Sequence, residues 1–189
     1  MTTINNQIYN ELNDRWYMAF DDPVALLRAE SKLIAPWIVK TAKNTLNKKL
    51  IEAVDLGCGG GFISNHLALS GFRTIAFDLS VTSLEVAARF DKTKSVDYRE
   101  GDVTKIPLDD CSCDVVSCCD VIEHVTEPHK IVSEAFRILR PGGMFFFHTF
   151  NRNFFAYVVA IKFVEWFVKN TPRDLHVLSM FVKPQELAR

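Results

Sequence analysis

The stretch "VDLGCGGGF", from Val54 to Phe62, places four glycines in five positions directly behind an apolar run that ends in an aspartate. Backbone that bare continues neither a strand nor a helix well, so the chain must turn sharply here, and a ligand can lie close to the main chain. The rest of the sequence is arranged around that turn. Short apolar runs, "LIEAVDL" (50–56), "RTIAFDL" (73–79), "SVDYRE" (95–100), "DVVSCC" (114–119) and "MFFFHTF" (144–150), alternate with amphipathic stretches. Of these stretches, "FISNHLALSG" ends in a helix-stopping Gly71, "TSLEVAARF" opens with Thr82 three residues before Glu85, and "EPHKIVSEAFRILRPGG" starts at Pro128 and stops at Pro141. Strands alternating with helices, and too apolar for a wet face, predict an α/β fold: a mostly parallel, Rossmann-like sheet covered by helices on both faces. Only "GDVTKIPLDDCSC", between the third and fourth runs, is too short and polar for a full crossover helix.

A chain of 189 residues, 48% hydrophobic, suits one well-buried domain over 1–189. Within it we expect N-terminal helices over 1–45, a cofactor-binding core over 46–150, and an apolar substrate-side or membrane-side segment over 151–189. Two leading helices are expected, broken near "FDDP": Ile4, Ile8 and Leu12 share one stretch, and Val24, Leu27, Ile34, Trp37 and Ile38 another. With 22 basic against 23 acidic side chains, no overall field draws the protein to nucleic acid or anionic lipid. "MTTINNQIYN" has neither the basic start nor the apolar core of a secretory signal, which makes the cytoplasm the expected compartment. Four of the five cysteines crowd into "CSCDVVSCC". Neighbours on a strand point to opposite faces, so Cys118 and Cys119 cannot share a zinc tetrahedron, and reduced thiols are expected.

The glycine turn does not fit the usual phosphate binders. A dinucleotide fingerprint needs glycine at its first, third and sixth positions; Gly57 and Gly59 fit, but the sixth is Phe62. No Lys-Ser or Lys-Thr pair follows to make a phosphate loop. What stands out is acidic: Asp55 two residues before the first glycine, Asp78 ending the second run, Asp102 following the third. A carboxylate repels a pyrophosphate at close range and attracts a cation. S-adenosylmethionine, with an ammonium, a sulfonium, a ribose diol and an adenine, matches this set. Asp78 can accept the ribose hydroxyls, Asp102 the adenine amino group, and Gly57 and Gly59 can let the methionine end lie against bare backbone.

The motifs "VDLGCGGG", "AFD", "EGDVTKIPL", "DVVSCCDVIEHV" and "ILRPGG" occur in the order of the class I S-adenosylmethionine-dependent methyltransferases, which the sequence resembles over roughly Leu50 to Gly143. A narrower resemblance, to the ubiquinone-biosynthesis O-methyltransferases that methylate polyprenylated catechols and phenols, rests on "DRWY", "CCDVIEHV", "FFFHTFNRN" and "LHVLSMFVKPQEL". It implies a backbone cofactor contact at Cys119, contacts at Asp102 and its neighbour Val103, and a basic contact in the second leading helix. There the sequence departs from the family: "LLRAESKL" lacks its Asn-Pro-Leu-Arg segment, leaving Lys32 or Arg28 for the role. The fold also ends, in this class, with an antiparallel hairpin for which no strand pair is visible, so either the chain is a fragment or the fifth-strand edge needs another cover.

For the acceptor side, "DVIEH" places Asp120, Glu123 and His124 at i, i+3 and i+4, one face of a helical turn. Together they offer ligands for a divalent ion such as Mg²⁺; alternatively His124 acts alone as base, or the Glu-His pair is structural. The resemblance favours the metal, the family showing acid-x-x-Glu-His with Asp120 where Glu is more usual. It also matches His176 of "DLHVLSMF" to a family histidine, here either placed to reach over the acceptor or simply a loop histidine. His148, within an apolar strand, reads instead as a hydrogen-bonded core side chain. The run "FFAYVVAIKFVEWFVK" carries Lys162, Glu165 and Lys169 on one expected helical face. It is too short and charged to span a bilayer; it lies either on the membrane surface over 154–169 or against the sheet. The expected function is O-methylation of a polyprenyl catechol or phenol, cytoplasmic or peripheral on the inner membrane, as a homo-oligomer or in a biosynthetic complex. The alternatives are another small phenol or amine, or a non-catalytic cofactor-binding subunit.

Overall fold

The computed structural model describes residues 8–168, 171 and 177–187. Five strands form one all-parallel sheet: β1 (Glu52–Leu56), β2 (Arg73–Asp78), β3 (Asp97–Glu100), β4 (Cys113–Cys119) and β5 (Leu139–His148), in the order β3-β2-β1-β4-β5. The chain thus starts at the centre, winds out to β3, then crosses back to β4. The crevice at the carboxyl ends of β1 and β4 is the topological switch point, where ligands of such sheets bind.

Both faces of the sheet are buried, which is why its strands read as apolar runs. Val54 and Leu56 of β1 pack into a cluster with Val116, Cys118, Ile131 and Ile138, while Ala53 faces a second cluster with Ile38, Leu67, Val115 and Phe146. Cys118 belongs to the first and Cys119 packs against the second, the alternation expected of neighbours on a strand. The five cysteines are free thiols.

The leading region is α1 (Ile8–Glu11), α2 (Arg15–Met18) and the long α3 (Pro23–Leu46). The break at "FDDP" falls where expected: Asp22 caps α3 by accepting from the Val24 N–H at 3.0 Å, with Pro23 in the first turn. A further break at Asn13, left-handed at φ 44°, splits the first helix in two. After the glycine turn come α4 (Phe62–Leu69), α5 (Val81–Phe90) and α6 (Pro128–Ile138). The cap of α5 is Ser80, not Thr82, because the Asp78 carboxylate holds the Ser80 N–H at 2.8 Å and starts the helix directly behind β2. No helix is described between β3 and β4.

Two boundaries differ from expectation. Helix α6 stops at Ile138 and β5 begins at Leu139, ahead of Pro141 and Gly142, through a register shift that sets Cys113 beside Leu139 but Val115 beside Met144. The shift is held by Arg140, whose guanidinium bonds Asp114 at 3.0 Å, Glu52 at 2.6 Å and the Ser112 carbonyl at 2.7 Å. Local pattern could not show a strand anchored by one arginine. The apolar run is also irregular: α-helical over Phe154–Ala156 and Val164–Phe167, but π-helical over Tyr157–Phe163; Lys169 of the expected charged face lies outside the described residues. Ile161 of this run is buried, whereas Phe154, Phe155, Phe163 and Trp166 are exposed, Phe154 by 79%. Among the described residues no helix is long and apolar enough to cross a membrane. The described residues add no sixth strand beyond β5; an isolated parallel bridge pairs Asn151 with Val182.

Candidate functional site

At the switch point lies a cavity of about 400 Å³. The glycine turn forms one wall. Gly57 and Gly59 adopt left-handed φ of 70° and 50°, and a Cβ on Gly59 would sit 2.6 Å from the Trp16 indole. The bare backbone therefore serves two ends: the turn itself, and the seating of an N-terminal aromatic layer on the loop. Tyr17 donates to the Gly60 carbonyl at 2.9 Å, Trp16 Nε1 donates to the Ser83 hydroxyl at 3.2 Å, and the Tyr9 ring stacks on Trp16. Tyr9, Asn10 and Trp16 all line the cavity. They were not among the expected site residues, although Trp16 and Tyr17 stand in the "DRWY" motif.

The turn is no anion cradle. Gly57 and Cys58 donate their N–H groups to the Phe77 carbonyl, Gly61 donates to the Cys58 carbonyl, and Gly59 donates to the Asp78 carboxylate at 2.7 Å. A phosphate would find these donors already engaged. The acids remain. Asp55, 2% exposed, accepts from the Ser117 hydroxyl at 2.7 Å through Oδ1, while Oδ2 has no hydrogen-bond partner. Burial pushes its pKa up to about 6, against the pull of the Ser117 hydroxyl and of the Ser64 backbone and side chain. An unpartnered buried carboxylate oxygen at a cavity wall fits a cationic ligand group. Asp78 accepts one N–H on each oxygen, from Gly59 and Ser80, and lines the cavity with lone pairs to spare; burial holds its pKa above the usual range.

Gly57, Gly59, Val103 and Cys119 line the same cavity. Asp102 and Lys32 do not. Asp102 is exposed and folds its Oδ1 back onto the N–H and hydroxyl of Thr104, at 2.8 and 2.7 Å. Lys32 is exposed on α3, whose Ser31 and Ile34 face the cavity instead.

On the opposite wall the proposed metal set does not converge. Asp120 takes a left-handed φ of 57°, and Ile122–His124 is a 3₁₀ turn, so the three side chains leave the expected common face. Asp120 and His124 line the cavity. Glu123 points inward, 0% exposed, accepting from the Thr149 hydroxyl at 2.7 Å through Oε2 and leaving Oε1 without a partner. Burial, reinforced by the Asp120 charge, raises its pKa to about 7. His124 Nε2 lies 3.4 Å from the Tyr9 hydroxyl. Among the described residues, the group whose ligand atoms fall within 4.8 Å of one another is Glu30, Asp120 and His148. The residues at "DVIEH" therefore do not fit a Mg²⁺ site.

His148, expected in the core, is half-buried and reaches this wall: Nδ1 is 2.8 Å from Asp120 Oδ1 and Nε2 is 3.3 Å from Glu30 Oε1. The hydrogen bond to Asp120 raises its pKa to about 9, against the cost of burial, with the charges of Asp120, Glu30 and Glu123 adding to the rise. His176 lies outside the described residues.

A model of the methyltransferase domain matches residues 54–147. The ubiquinone biosynthesis O-methyltransferase of Aromatoleum aromaticum is 34% identical over 186 residues, covering 97% of this chain and 77% of the relative. That of Bordetella pertussis is 33% identical over 186 residues, covering 95% and 74%. Among solved structures, a protein of Pyrococcus horikoshii OT3 superposes with a TM-score of 0.61 at 22% identity, covering 83% of this chain and 71% of its own, a likeness of fold.

Proposed function

The chain belongs to the S-adenosylmethionine-dependent methyltransferases, and from that premise we propose that it moves the sulfonium methyl to a hydroxyl of a polyprenylated catechol or phenol in ubiquinone biosynthesis. The observation that carries the reading is the meeting of two unlike walls in one cavity: the buried carboxylates Asp55 and Asp78 on one side, the ionisable Asp120 and His124 on the other.

In this reading Asp55 Oδ2 takes the cofactor ammonium and Asp78 the ribose diol, with Gly57, Gly59, Val103 and Cys119 enclosing the rest. The cofactor supplies an electrophilic methyl. The chain's own work is to align an acceptor oxygen in line with the carbon–sulfur bond and to receive its proton. Tyr9 and Trp16, seated over the glycine turn, exclude water from the cofactor side.

A polyprenyl acceptor lives in the bilayer, and the exposed aromatics of the run from Phe154 support attachment at its surface. Burying each such side chain contributes ~1.5 to 3 kcal/mol before ordering costs. We place the enzyme, accordingly, at the inner membrane's cytoplasmic face.

Incubation of the purified chain with labelled S-adenosylmethionine and a panel of polyprenyl catechols, soluble phenols and amines, with and without chelator, tests the function. Mass spectrometry should find one added methyl on an aromatic oxygen, with or without chelator. Label bound without transfer overturns the reading in favour of a non-catalytic subunit. Liposome flotation tests the membrane: wild type should float and a Phe154→Ser/Phe155→Ser variant should not. A folded wild type that stays in the soluble fraction leaves soluble phenols as the substrate class.

A further inference from the structure

Three ionisable side chains, Asp120, His148 and Glu30, form a line beside the cavity, and the reading above leaves His148 and Glu30 idle. Asp120, the residue after β4, holds a left-handed backbone at φ 57°, a conformation that aspartate adopts more readily than most residues. Two bonds hold it, both to His148 at the end of β5: the Asp120 N–H donates to the His148 carbonyl at 2.9 Å, and Asp120 Oδ1 meets Nδ1 at 2.8 Å. Across the ring, Nε2 faces Glu30 Oε1, 3.3 Å away on α3. Each ring nitrogen thus faces a carboxylate, an arrangement satisfied by the two N–H donors of an imidazolium. Glu123, Tyr9 and the Cys118 and Cys119 thiols are further titratable groups near this line, and none of them bonds the His148 ring. Asp120 spends Oδ1 on the ring; its Oδ2 makes no hydrogen bond to the described residues, and the residue lines the cavity.

We propose that Asp120 is the catalytic residue that receives the acceptor's hydroxyl proton, and that His148 and Glu30 are positioning residues that hold its carboxylate at the cavity wall. This rests on the methyl-transfer reading and deepens it. In the step, an acceptor lone pair forms the new O–CH₃ bond and the S–CH₃ bond breaks, its electron pair returning to sulfur as a neutral thioether. The hydroxyl proton passes to Asp120 Oδ2, and from there to the water that refills the cavity after product leaves. His148 fixes the direction of that oxygen twice over, through main chain and side chain, and Glu30 fixes the ring. The three residues come from α3, the end of β4 and the end of β5, so the base is registered to the sheet and to the helix whose Ser31 and Ile34 help enclose the cavity.

The test compares kcat, KM and calorimetric cofactor affinity for wild type, Asp120→Asn, His148→Phe, His148→Gln, Glu30→Gln and the double variant Asp120→Asn/His148→Phe. Asp120→Asn should lower kcat by ~10²- to 10⁴-fold, the usual loss on removing a general base. His148→Phe should lower it by roughly 10- to 100-fold with cofactor affinity within about twofold of wild type. His148→Gln, whose amide still donates to Asp120, should recover most of that loss, and Glu30→Gln should lose about threefold. In the Asp120→Asn background His148→Phe should cost nothing further, because a positioning residue acts only through the group it positions. Full kcat in Asp120→Asn, or two losses that multiply in the double variant, overturns the inference. Should His148→Phe fail to fold, Glu30→Gln replaces it in the same cycle. A wild type that binds S-adenosylmethionine but methylates no phenol or catechol sinks the function reading and this one with it. A wild type that methylates while Glu30→Gln and His148→Phe keep its kcat sinks this one alone.

Discussion

The two walls of the cavity are built on opposite principles. On the glycine side the polar groups are spent within the wall: three loop N–H groups go to neighbouring carbonyls, Gly59 and Ser80 go to Asp78, and what is left is the unpartnered Asp55 Oδ2 and the spare lone pairs of Asp78. The wall at the ends of β4 and β5 keeps groups that can gain or lose a proton: Asp120 and His124 at the cavity, Glu123 and His148 behind them. A pre-formed wall with little freedom suits a cofactor that must bind the same way each cycle. A wall of titratable groups suits the step in which a proton moves.

If the walls differ in this way, variants should separate cleanly into chemistry and binding. The largest effect belongs to the second wall: Asp120→Asn should cut kcat by ~10²- to 10⁴-fold while His124→Ala costs about tenfold, since the latter loses an orienting contact and not the proton acceptor. Steady-state kinetics at saturating cofactor decides it, and a reversed order makes His124 the base. Next, Asp78→Ala should weaken cofactor binding by ~1.5 to 3 kcal/mol, about tenfold or more in Kd by calorimetry, for hydrogen bonds to a charged acceptor. It should leave kcat at saturation nearly unchanged. An unchanged Kd would move the ribose elsewhere.

Smaller effects follow from pH. Asp55 has its folded pKa raised to about 6, so in the free protein it is largely protonated at pH 5 and ionised at pH 7.5. A cationic ligand group needs the ionised form, so cofactor affinity should rise with pH through this window and be about tenfold weaker at pH 5 than at pH 7.5. A flat profile in calorimetry would detach the ammonium from Asp55. For Glu123 the sign concerns stability. A carboxyl raised from 4.5 to about 7 binds more protons folded than unfolded between those values, so its contribution to stability is lost as pH rises from about 4.5 to 7. Glu123→Gln should flatten this part of the profile, and its Tm relative to wild type should rise between pH 5 and 7.5. Parallel profiles would mean that Glu123 is ionised in the fold.

The glycine wall was legible in the sequence because its causes are local. Left-handed turns call for glycine at positions such as 57 and 59, alternation puts Val54 and Leu56 on one face and Ala53 on the other, and an acid two residues before the turn ends up at the carboxyl end of β1 whatever else the chain does. Asp102 escaped the same logic, since Thr104, two residues on, offered its carboxylate two donors at short range. The second wall was misread for a related reason. Spacing of i, i+3 and i+4 gives one face only on an α-helix, and the chain here takes a left-handed residue followed by a 3₁₀ turn, which sends Asp120, Glu123 and His124 to three different partners.

By itself, then, the sequence determined the alternating elements, a mostly parallel sheet and the sharp glycine turn behind its first strand, because each follows from backbone preference and periodicity within a few residues. Tertiary structure alone decided that β5 starts at Leu139 under the hold of Arg140, that Trp16 and Tyr9 lie over the glycine turn, and that Glu30, Asp120 and His148 meet. These depend on where the sheet brings distant segments together and on which way single side chains leave irregular backbone. No spacing along the chain encodes either.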